Sequence, residues 1–100
     1  MRKSLLGALA LAALASPAFA EDAERGRALA LRWCVGCHVV EEETPGGDAG
    51  PSFGSVVNRL GRTDEELRVW LSEPHAPMPE MNLSSVEIDD IIAHIGTLRE

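Results

Sequence analysis

Apolar positions along this chain recur at intervals of three and four residues, the period of a helix that buries one side. The clearest stripe is Ile88, Ile91, Ile92, Ile95 and Leu98, and Ser84-Ser85-Val86-Glu87 ahead of it has the hydroxyl and carboxylate spacing of a capping box. Thr63-Asp64-Glu65-Glu66 repeats that signal. Behind it, Leu67, Trp70 and Leu71 make one apolar face, and Pro74 is placed to stop the helix. Nearer the start, Ala23, Gly26, Ala30 and Trp33 predict a first helix of about three turns. The stretch from Glu41 to Gly54 is rich in glycine, proline and charge and reads as a loop, followed by a helical turn over Gly54 to Leu60. There is no internal repeat and no second domain. The pattern predicts an all-α fold of three main helices joined by loops.

The first twenty residues follow a different logic. Arg2 and Lys3 form a charged start, Leu5 to Ala15 is an apolar run, and Ala18-Phe19-Ala20 is a small-x-small cleavage signal. The run is shorter than the roughly twenty apolar residues that span a bilayer. We read residues 1–20 as a cleaved secretory signal peptide and 21–100 as one domain beginning at Glu21, which predicts a periplasmic protein without a membrane span. Cleavage leaves 80 of the 100 residues and removes two basic side chains, so seven basic residues face sixteen acids and the formal charge moves from −7 to −9. Such a surface does not suit nucleic acid and suits a basic partner, with encounter rates that fall as salt rises. A chain this short buries little apolar area and calls for a staple or a cofactor.

Both cysteines lie in one run, Cys34-Val35-Gly36-Cys37-His38. C-x-x-C-H is the spacing for covalent attachment of a c-type haem. Two thiols three positions apart on one turn can each add to a vinyl group of the porphyrin, and the adjacent imidazole can reach the iron as proximal ligand. A structural zinc site wants four soft or imidazole ligands, and no second cysteine pair exists here. A thioredoxin-like pair is expected beside a βαβ pattern that this sequence lacks. A plain disulfide between Cys34 and Cys37 is the remaining reading.

Four residues compete for the opposite side of the iron. Met78 and Met81 lie in Pro77-Met78-Pro79-Glu80-Met81, a proline-stiffened loop that cannot form a regular helix. His75 and His94 are the imidazole alternatives. His94 sits beside the isoleucine face of the last helix, where a packed histidine is the commoner outcome, and a lone methionine by default fills a core.

Together with Glu24-Arg25-Gly26-Arg27-Ala28-Leu29, Gly50-Pro51-Ser52-Phe53, Trp70-Leu71-Ser72-Glu73-Pro74-His75, Pro77-Met78-Pro79 and Leu83-Ser84-Ser85-Val86-Glu87-Ile88, the attachment run resembles the class I cytochrome c family in its small bacterial monohaem form. The resemblance covers essentially the whole of residues 21–100. It implies the class I cytochrome c fold wrapped around one haem c, with Met78 as the distal ligand and methionine–histidine ligation through His38 and Met78. It implies that the Pro51 carbonyl holds the proximal imidazole, that Phe53 lines the haem pocket and that Trp70 lies near the propionates. Asn58, Arg59 and Arg62 become candidates for propionate contacts, with a solvated surface the simpler reading of the arginines. Gly26 fits the place where the first and last helices cross closely. One departure stands out: where the family carries an aromatic residue late in the terminal helix, packed on that glycine, this chain has His94. Glu41-Glu42-Glu43 and Gly46-Gly47 read as solvated loop, not as a metal or phosphate site.

With both axial positions filled there is no open place for a substrate, so the expected function is one-electron transfer to and from redox proteins, not catalysis. Three rivals are distinguishable. A dedicated haem subunit of a periplasmic dehydrogenase would purify in a stable complex. A sensor with a displaceable methionine would bind carbon monoxide when reduced. An exported dithiol oxidoreductase would show reactive thiols.

Overall fold

The computed structural model describes residues 21–73 and 75–100; residues 1–20, on which the expected signal peptide falls, and Pro74 lie outside the described residues. Among the described residues the chain forms four helices and no strand: α1 Ala23–Trp33, α2 Phe53–Asn58, α3 Asp64–Ser72 and α4 Ser85–Gly96. Each begins on a side chain that accepts a backbone N–H left unpaired in the first turn. Thr63 and Ser84 do so in full capping boxes with Glu66 and Glu87, as their spacing predicts. Asp22 and Ser52 cap α1 and α2 in the same way, accepting from the amides of Arg25 and Ser55. The loop therefore runs to Ser52, and α2 starts one residue earlier than its composition suggests.

The core gathers Ala30, Cys34, Val40, Phe53, Val57, Leu67, Ile88, Ile91, Ile92 and Ile95. Every isoleucine of the predicted stripe is buried, and Leu98 packs partly against it. Two expectations need correction. Trp33 is not on the buried face of α1 but 54% exposed, because the next residue, Cys34, takes the core position. On α3 only Leu67 is fully buried; Leu71 is half-buried and Trp70 is 51% exposed.

Helices α1 and α4 cross at Gly26. A Cβ there would overlap the Asp90 carbonyl and crowd the Ile91 amide, so only a hydrogen side chain permits the approach. Asp90, 2% exposed, secures the crossing: its carboxylate accepts the Asp22 amide at 2.8 Å and Arg25 Nε at 3.0 Å. That bond and charge hold the Arg25 guanidinium above its usual pKa.

Candidate functional site

The end of α1 runs straight into the C-x-x-C-H turn. The Cys34 amide closes onto the Ala30 carbonyl at 2.9 Å, and the amides of Cys37 and His38 both bond the Cys34 carbonyl, at 3.1 and 3.0 Å. This tight turn brings two cysteines and one histidine together at a helix end. Cys34 and Cys37 form no disulfide with each other and have different surroundings, the first buried and the second exposed. Burial pushes the Cys34 thiol up to about 11. A dithiol oxidoreductase works through an accessible thiolate, and Cys34 is buried.

The imidazole of His38 is held by the loop that follows. Its Nδ1 lies 2.6 Å from the Pro51 carbonyl oxygen, which can only accept, so Nδ1 carries the proton and Nε2 keeps its lone pair. Gly50 forms a cradle for the ring, because a Cβ there would overlap the imidazole. The Gly50 amide bonds the Cys37 carbonyl at 2.8 Å. The Phe53 ring stands 5.5 Å from that of His38, tilted by 49°. A half-buried imidazole with a fixed tautomer, beside two thiols on one turn, has the donor chemistry that a covalently attached haem requires.

The distal candidates lie on a second segment. Met78 is half-buried and pairs through its backbone with His75. His75 donates its Nδ1–H to the Glu73 carbonyl at 3.0 Å, and its ring meets that of Trp70 edge-on at 4.4 Å. Met81 is also half-buried. His94 is buried in the core, its Nε2 bonded to the Val40 carbonyl at 2.8 Å, which is the packed role weighed for it above.

Several residues behave otherwise than the sequence suggests. Asn58 spends both ends of its amide on the C-terminus, donating to the Leu98 carbonyl at 2.9 Å and accepting the Glu100 amide at 3.0 Å. Arg62, by contrast, keeps the solvated role of its simpler reading, facing Glu66 across 3.9 Å with both side chains exposed. Glu41 is not a solvated charge, since Arg27 grips it through Nε at 2.5 Å and Thr44 donates its hydroxyl. Nor are Gly46 and Gly47 free loop. A Cβ on either would overlap the His38 or Gly36 carbonyl, and the Gly47 amide bonds the Val35 carbonyl at 2.9 Å. Sequence reasoning passed over Gly50 as a functional position, although its place beside Pro51 was the available signal. A depression of about 710 Å³ is lined by Arg27, Val39, Glu41, Ser55, Asn58 and Arg59, and not by the cysteines, His38 or Met78. No group of three or more histidine, cysteine or carboxylate side chains suited to a metal ion occurs among the described residues.

Cytochrome c-552 of Bradyrhizobium diazoefficiens is 46% identical to this chain over 92 residues, covering 91% of this chain and 88% of that protein. No protein-family model and no solved structure matches the chain. An all-α framework and close similarity to a cytochrome c over nearly its full length make this chain a member of the class I cytochrome c family, a small monohaem protein carrying covalently bound haem c.

Proposed function

We propose that this cytochrome c is an exported periplasmic carrier that moves one electron at a time between redox proteins, in which Cys34 and Cys37 would hold the haem covalently and His38 and Met78 would bind its iron. Bound haem supplies the one-electron couple of its iron. The chain supplies the rest. The observation that carries the reading is the His38 Nδ1 bond to the Pro51 carbonyl, which fixes the ring and strengthens Nε2 as a donor. Pro77 and Pro79 stiffen the backbone on either side of Met78, so its thioether is presented with little rearrangement. A neutral, soft thioether favours the reduced state relative to a harder ligand, which makes this a comparatively high-potential carrier. Phe53 gives the site an apolar wall, and Trp70, with an indole N–H on an exposed ring, is suited to the propionates. Export rests on the charged start, apolar run and cleavage signal of residues 1–20. No helix among the described residues is long and apolar enough to cross a membrane.

The test is an absorption spectrum of the purified protein, oxidised and reduced, with extraction into acidified acetone. The pigment is expected to stay on the polypeptide, with a methionine–ferric band in the far red, and the reduced protein is expected not to bind carbon monoxide. Met78→His should lower the midpoint potential and abolish the far-red band. An unchanged titration would remove Met78 from the site, and extractable pigment would end the reading as a whole.

A further inference from the structure

We propose that His94 is a positioning residue for the proximal histidine: its buried imidazole pins the Val40 carbonyl, and through the strap from Val39 to Phe53 it sets the hydrogen bond between His38 and Pro51. The inference rests on the reading of His38 as the proximal ligand.

Helix α4 offers His94 at only 4% exposure. Burying an imidazole without partners is costly, and here one nitrogen is satisfied at 2.8 Å by the carbonyl of Val40, itself fully buried. A carbonyl only accepts, so the geometry specifies the Nε2–H tautomer. Val40 lies at one end of the strap. One residue earlier, the Val39 carbonyl accepts the Phe53 amide at 2.9 Å, which brings the two ends of the strap together. Pro51, whose carbonyl takes the His38 proton at 2.6 Å, is two residues before Phe53. The Phe53 ring neighbours both imidazoles, 5.5 Å from His38 and 6.3 Å from His94. The residue after Val40 is gripped from the other side, since Glu41 is bonded to Arg27 of α1. The two crossing helices thus hold adjacent residues of the strap. An apolar side chain at position 94 would fill the space but orphan the Val40 carbonyl. The strap would then trade some of its register at Pro51 for a partner elsewhere.

The test uses the nitrogen-labelled, haem-loaded protein. NMR should find His94 as the Nε2–H tautomer. His94→Phe, which keeps an aromatic ring and removes the donor, should speed solvent exchange of the His38 Nδ1 proton roughly tenfold. It should also raise the midpoint potential, because a weaker bond at Nδ1 makes the imidazole a poorer ligand for ferric iron. His94→Gln restores an N–H donor and should recover most of both. Ile88→Val, a packing change on the same helix, should move neither. An Nδ1–H tautomer in the unaltered protein overturns the proposal, as does His94→Phe exchange at the unaltered rate, or an equal acceleration in Ile88→Val. Should His94→Phe yield no haem protein, the tautomer and the His94→Gln exchange rate decide. Failure of the haem reading looks different: the unaltered protein would then lack a bound chromophore, whereas failure here leaves its spectrum intact.

Discussion

Glu41 stands among three consecutive glutamates yet differs from its neighbours, because the Arg27 guanidinium and the Thr44 hydroxyl hold its carboxyl down to about 2. A carboxyl depressed in the folded state adds stability above its unfolded pKa and loses it as pH falls. The window here runs from about 4.5 down to about 2. Denaturant unfolding of the unaltered protein and of Glu41→Gln across that window should give curves that differ at neutral pH and converge at its acid end. A constant gap would mean the pair contributes nothing. His94 is a related case. A histidine in an apolar stripe signals burial, but its partner, the Val40 carbonyl, is 54 residues away and invisible to local pattern.

The crossing of α1 and α4 is where elements meet most closely. Gly26→Ala should push the helices apart, since the added carbon would meet the rigid backbone at Asp90 and Ile91 and not the flexible end of a side chain. The expected loss is about 1–3 kcal/mol, the usual range for overpacking a well-filled contact, read as a lower denaturation midpoint. An unchanged midpoint would show that the helices can slide without cost. The crossing forms although this chain has His94 where the family carries an aromatic. Its closest approach is to the backbone of Asp90 and Ile91, while His94 is bonded to Val40. Asp90 adds a lock at the same place, tying the entry to α1 onto the flank of α4.

For the molecule as a whole, the core is small and two tryptophans, Trp33 and Trp70, stay more than half exposed. A domain of about 80 residues buries a modest share of its unfolded surface, and a large apolar macrocycle adds core that side chains do not supply. The protein stripped of haem should therefore be largely unfolded. Far-UV circular dichroism of the apoprotein should show most of the helical signal gone, and native-like helicity would refute the expectation. With a formal charge of −9 on residues 21–100, association with the redox partners we propose should weaken as salt rises, which binding measured across ionic strength checks.

Local chemistry was legible in the chain itself. The isoleucine stripe, both capping boxes and the C-x-x-C-H spacing are readable because each depends on residues within one or two turns of one another. The all-α fold followed from the same periodicity, and the close crossing at Gly26 from the family resemblance alone. What the residues near in sequence do not contain, tertiary structure decided: that Cys34 displaces Trp33 from the core, that Gly46, Gly47 and Gly50 make room for the attachment turn and its imidazole, that Glu41 belongs to Arg27, and that Asp90 and His94 are buried with distant partners. The reason is physical. A cap or a stripe is satisfied by neighbours along the chain, whereas a buried charge, a buried imidazole or a missing Cβ has meaning only against whatever the fold sets opposite it.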